Sequence, residues 1–244
     1  MDNIYFLTIL IIVYSTVQSI FGVGLLVFGT PTMLLAGYDF QSTIAFLLPS
    51  SMLISLMQVH AGKKHLQKFK SHFLVYSVPF IVLGLAAILT NIVELEIKVL
   101  VGGMLVVSAM IRTTRGLQSL LSRFLTKYTK LYLMLMGLIH GLSNMGGGFL
   151  TVFITAVYEE KQTIRANIAY GYLVFAISQI AVLSVLNPEV LSLKSLLFAG
   201  LALLTSRTVG NLVYLKSTNA VYQHLITAFI FTYGVILIGQ NFLF

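Results

Sequence analysis

The sequence predicts an all-α polytopic membrane protein, and three observations lead there. Charged residues are 9% of the 244-residue chain against 58% hydrophobic, and the mean hydropathy is +0.95. A water-soluble domain carries about 25% charged residues, so this chain has too few to cover a water-facing surface. Nearly all the charges it does have fall between eight long apolar segments: Ile4–Ala36, Phe40–Val59, Phe73–Thr90, Ile97–Ile111, Leu131–Tyr158, Ile164–Leu186, Val190–Ser206 and Val221–Gly239. This pattern excludes a soluble enzyme, a disordered regulator and a secreted disulfide scaffold. An excess of 15 Lys and Arg over 7 Asp and Glu would suggest nucleic acid in a soluble domain. Here it orients loops at a bilayer, and no nucleic-acid partner is expected. Without cysteine there is neither a disulfide nor a thiolate metal site.

The first segment follows an N-terminus that lacks basic residues and is far longer than a signal-peptide core, so it is read as retained. Its 33 residues would make a helix of about 50 Å, against a hydrocarbon core of about 30 Å. The fifth segment, Leu131–Tyr158, is also too long, at about 42 Å for 28 residues. Each contains a glycine cluster, Gly22-Val23-Gly24 in one and Gly146-Gly147-Gly148 in the other, and Pro31 removes a further donor from the first. Glycine disfavours a helix by about 1 kcal/mol relative to alanine. Both segments are therefore read as broken helices. Close helix packing at the glycines is the alternative.

A shift of 124 residues lays Gly22-Val23-Gly24 on Gly146-Gly147-Gly148, Ser19 on Ser143, Leu26 on Leu150, and Gln41–Phe46 on Arg165–Tyr170. The chain thus divides into a first transmembrane repeat (1–111), a basic cytoplasmic linker (112–130) and a second transmembrane repeat (131–244), with four segments in each repeat. If each broken segment dips into the membrane and returns, only Lys98 and Lys194 of the 15 Lys and Arg fall outside. Eight full crossings separate the charges less cleanly. The re-entrant arrangement leaves three crossings per half, an odd number, and so predicts inverted repeats meeting near the midplane.

All seven acids lie at segment ends or in loops, which argues against a carboxylate proton relay and against a metal path. No cofactor is expected. His140 is the ionisable residue inside an apolar segment, a candidate for proton coupling because imidazole titrates near neutral pH. A histidine satisfied by a nearby carbonyl is the plainer reading. Small polar residues gather around the breaks: Gln18, Thr30 and Thr43 from the first half, Ser143, Asn144 and Asn167 from the second. A helix opened at glycine exposes backbone amides at the positive end of the next half-helix, where an anion gains hydrogen bonds. The expected binding set is therefore Gln18, Gly22, Val23, Gly24, Thr30, Thr43, Ser143, Asn144, Gly146, Gly147, Gly148 and Asn167. Arg165 and Arg207 would draw anions toward the pore or face lipid headgroups.

These features together resemble the sulfite exporter TauE/SafE family. The likeness runs through Gly22-Val23-Gly24 with Pro31 and Gly37, then through Gly141, Gly146-Gly147-Gly148 and Arg165-Ala166-Asn167. It departs at Val23, where the family has a fuller glycine cluster, and at Thr155, which stands where the family commonly has proline. The resemblance implies a multi-pass permease of the cell membrane for a small sulfur-containing anion such as sulfite or a sulfonate. Its expected partners are that anion and the lipid bilayer, and the sequence leaves self-association open. The alternative is an intramembrane hydrolase with Ser143 as nucleophile and His140 as base, for which no acid is available to orient the imidazole.

Overall fold

A computed structural model describes residues 3–66, 69–93, 96–216, 218–222, 224 and 228. Among them there is no strand. The helices are α1 (Ile4–Phe21), α2 (Thr30–Leu35), α3 (Phe40–Ala61), α4 (Phe69–Leu89), α5 (Ile97–Thr113), α6 (Arg115–Ser143), α7 (Gly146–Val157), α8 (Lys161–Leu186), α9 (Leu193–Thr205) and α10 (Asn211–Lys216). Wider π-helical turns at Leu25–Gly29 and Ser206–Gly210 lead into α2 and α10. Among the described residues five stretches are long and apolar enough to cross a bilayer: Ile4–Phe21, Phe40–Ala61, Lys70–Leu89, Lys161–Leu186 and Leu193–Lys216. The predicted eighth segment, Val221–Gly239, lies almost wholly outside the described residues.

Local chemistry accounts for the ends of these helices. Asn3 caps α1 by accepting from the amides of Tyr5 and Phe6, and Asp39 caps α3 by accepting from Ser42. Both long segments are interrupted where the glycines foretell it, with one difference. α1 ends at Gly22, whose φ of 78° is the left-handed conformation that glycine adopts at no steric cost. In the second segment Asn144 takes the left-handed position (φ 62°), and Gly146–Gly148 form the first turn of the following helix. The break precedes the glycine run because asparagine also tolerates this conformation at a helix C-terminus.

The basic stretch 112–130, read from its charges as a loop, is helical apart from Thr114, with a kink at Tyr128 (φ −127°, ψ 33°). Charge density alone misleads here, since a helix at a membrane surface keeps its charges in the headgroup layer.

Two pairings fix the directions of the chain. α3 and α8 run antiparallel: the side chains of Gln41 and Asn187 bond at one end, and Asn167 donates to the His65 carbonyl at the other. The first broken segment doubles back, so Tyr14 Oη and Thr32 Oγ1 lie 2.8 Å apart and the rings of Phe6 and Tyr38 stack beside the Gln41 end of α3. The second doubles back as well. Tyr132 donates to the Phe149 carbonyl at 2.8 Å and stacks on Phe153, while Glu160 lies 3.7 Å from His65 at the opposite end.

Helices far apart in the sequence interlock. α4 lies against α6 so closely that a Cβ on Gly137 or Gly141 would sit 2.4 Å from the carbonyl of Ser77 or Ile81. Reciprocally, Gly210 meets Ser19 of α1, whose hydroxyl donates to the Ser206 carbonyl at 2.8 Å.

Candidate functional site

Opening a helix strands backbone groups, and in lipid each needs a partner. At the first break two glutamines supply several of them. Gln18 Oε1 accepts from the Leu25 amide, and its Nε2 donates toward the Ser51 carbonyl and the Ser51 and Ser55 hydroxyls, all at 3.1 Å. Gln58 Nε2 then donates to the last carbonyls of α1, Gln18 at 2.8 Å and Ser19 at 3.0 Å. Gly22 faces the Arg165 carbonyl and Ile168, and Gly24 presses on the backbone of its own helix at Tyr14 and Gln18. Val23 is buried between them. The glycines thus make a tight reversal, held by two glutamines.

The second break is equipped differently. The amides of Gly146 and Gly147 stand in the first turn of α7, where a helix offers no acceptor, and only Gly148 reaches back, to the Met145 carbonyl at 3.2 Å. Asn144 joins the two breaks by donating through Nδ2 to Thr30 Oγ1 at 2.7 Å, while its Oδ1 has no partner. Asn144 Nδ2 carries a second hydrogen beyond the one given to Thr30.

Tyr172 closes the site. Its hydroxyl is fully buried, lacks a partner, and lies 1.8 Å from where a Cβ on Gly147 would be; Val27 lies 2.9 Å from the same point. Thr30, Asn144 and Gly147 therefore come together, joined by Val27 and Tyr172. In the sequence Tyr172 resembles any interfacial aromatic, and only its hydroxyl's place at a glycine sets it apart.

Other candidates have partners of their own or lie apart. His140 Nε2 is 3.1 Å from Gln179 Oε1, and its ring stacks on Phe175 at 3.7 Å between centroids. His140 Nδ1 and Gln179 Nε2 are without partners. Ser143 donates to the Ile139 carbonyl at 2.7 Å and accepts from the Met145 amide. The two residues of the alternative hydrolase therefore have separate partners. Thr43 is buried with an unpartnered hydroxyl, and Asn167 donates to the carbonyls of His65 and Thr163.

Arg165 stacks over Tyr214 at 3.9 Å and lines a cavity of about 260 Å³ with Gln58, Gly62 and His65. At the far end of α3 a second cavity, of about 350 Å³, is lined by Leu7, Met33, Tyr38, Asp39, Ser42 and Lys194. Arg207 is exposed and its Nε lies 3.3 Å from Met57 Sδ. No group of three or more His, Asp or Glu able to hold a metal occurs among the described residues.

Comparison with known proteins bears on what such a site does. The family model described as sulfite exporter TauE/SafE matches residues 7–237. No curated protein and no solved structure matches the chain. With nearly the whole length matched, and with apolar helices arranged around two broken segments, the chain belongs to the sulfite exporter TauE/SafE family of membrane transporters.

Proposed function

We propose that this transporter is a permease for a small sulfur-containing anion, sulfite or an organosulfonate, held between the two breaks. The observation that carries the reading is the unpartnered Tyr172 hydroxyl set against the open first turn of α7 at Gly147. A buried donor without an acceptor is costly, by about 1–3 kcal/mol, and a bound oxyanion relieves it. The Gly146 and Gly147 amides, the positive end of α7 and the Asn144 carboxamide would add to its hold. The cavities at the two ends of α3 supply an approach from each side, with the buried core between them closed.

The architecture we propose is a pair of inverted repeats, 1–111 and 131–244, joined by the basic linker 112–130. Antiparallel α3 and α8, which the 124-residue shift makes equivalent, support it. So does the reciprocal packing of Gly84 on Leu138–Leu142 and Gly210 on Thr16–Ser19. Each broken segment then enters and leaves on its own side, the face with Lys63 and Lys64 is cytoplasmic, and the protein resides in the cell membrane.

Flux of labelled sulfite and methanesulfonate into proteoliposomes tests the assignment. Tyr172→Phe and Asn144→Ala should each lower flux about tenfold, the effect of about 1.4 kcal/mol. Unchanged flux in both variants would refute the site.

A further inference from the structure

We infer that the site accepts singly charged oxyanions only, so that sulfite passes as its monoprotonated form and dianions such as sulfate are refused. The inference rests on the site proposed above and concerns which anions it takes.

Every donor there is neutral: two backbone amides, a phenol hydroxyl and a carboxamide. The elements around it are as bare. Neither 4–35, nor 40–59, nor 131–157, nor 166–186 contains a Lys, Arg, Asp or Glu. The titratable groups within these four stretches are His140, Tyr132, Tyr170, Tyr172, Tyr5 and Tyr14. Tyr38 stands just before α3 and His60 near its end, α6 opens with Arg115, Arg123, Lys127, Tyr128 and Lys130 before residue 131, and α8 opens with Lys161 and Arg165. α5, which also packs on α7, carries Lys98 and Arg112 near its two ends. Arg165 lies seven residues before Tyr172, about 10 Å along α8, and its guanidinium is turned onto Tyr214.

Charge decides what such a cage can hold. The cost of moving an ion out of water rises with the square of its charge, so a dianion meets roughly four times the penalty of a monoanion. The compensation does not rise to match. A helix N-terminus presents the equivalent of about half a positive charge, and neutral hydrogen bonds add dipoles only. That field offsets part of one negative charge and leaves a second wholly unmet.

The two halves differ on this point. The 124-residue shift lays Gly147 on Val23 and Tyr172 on Leu48. The glycine and hydroxyl that make the cage in the second half are thus replaced by two aliphatic side chains in the first. One equipped half fits one monoanion. His140 is the group that could alter the count, since a proton on its unpartnered Nδ1 would add a positive charge beside Gly146.

The test uses the full chain in proteoliposomes, with labelled methanesulfonate, sulfite and sulfate measured above the leak of protein-free vesicles. Methanesulfonate is a monoanion throughout the range, sulfate a dianion, and sulfite changes from one to the other near neutral pH. Methanesulfonate flux should be flat with pH. Sulfite flux should fall about tenfold per pH unit above its titration, and sulfate flux should equal the leak. Sulfate carried at a rate comparable to methanesulfonate, or sulfite flux that holds or rises with pH, would overturn the inference while leaving the permease intact. Sulfate carried at low pH and lost in His140→Gln would overturn it too, by showing a dianion taken with a protonated imidazole. Flux of none of the three would instead remove the permease reading beneath it.

Discussion

Replacing Gln18 with leucine, which has similar bulk and no polar atom, separates a structural bracket from a ligand-binding side chain. Gln18 is fully buried and joins α1, the residue that restarts the chain after the break, and α3. Polar bonds between membrane helices average about 0.6 kcal/mol each, so loss of the contacts to Ser51 and Ser55 removes between one and two kcal/mol, roughly. The Leu25 amide is then left without its acceptor, at a further cost of about 1–3 kcal/mol. The serine hydroxyls can turn to their own helix carbonyls, which recovers a little. The net expectation is about 3 kcal/mol. At about 2–4 °C per kcal/mol for a chain of this size, the midpoint of thermal unfolding in detergent should fall by roughly 6–12 °C. The assay is a melting curve followed by fluorescence-detected size exclusion, run beside flux in proteoliposomes on the folded fraction. A normal melting midpoint together with a raised KM for the transported anion would refute the reasoning, because it would make Gln18 a contact of the ligand.

Further predictions concern packing and direction. Gly147→Ala should lower stability by about 1–3 kcal/mol through overpacking against Tyr172. In a double-mutant cycle with Tyr172→Ala that cost should largely vanish, whereas additive effects would place Tyr172 elsewhere. Gly137→Ala and Gly141→Ala should each impair folding, since the atoms they would strike are backbone carbonyls of α4 that cannot turn aside. Gly103→Ala and Gly200→Ala meet nothing within 4 Å and should be neutral or slightly stabilising in melting curves. The chain has no cysteine of its own, so single cysteines report sidedness directly. Lys64→Cys and Glu160→Cys should label from one side of the membrane, Ala36→Cys and Glu189→Cys from the other. Labelling of positions 64 and 160 from opposite sides would exclude a doubled-back second segment.

Membrane character and the two breaks are legible in the sequence because each follows from local quantities. Apolar length against bilayer thickness sets the first, and glycine clusters in runs too long to span set the second. Even the exact stop at Asn144 carries a local signal, an asparagine followed closely by glycine. The helicity of 112–130 does not, because an interfacial helix and a charged loop share a composition. At the candidate site Thr30, Asn144 and Gly147 are legible in the sequence as polar and glycine positions at the breaks, and their meeting with Tyr172 belongs to tertiary structure. That Tyr172 meets Gly147, that Asn144 reaches Thr30 across 114 positions, and that Gln58 closes the end of α1 depend on which faces of separate helices are pressed together. In a chain apolar on nearly every face, periodicity cannot indicate those faces. Close contact between glycines and the opposing backbone, and the demand that each stranded polar group find a partner, select them.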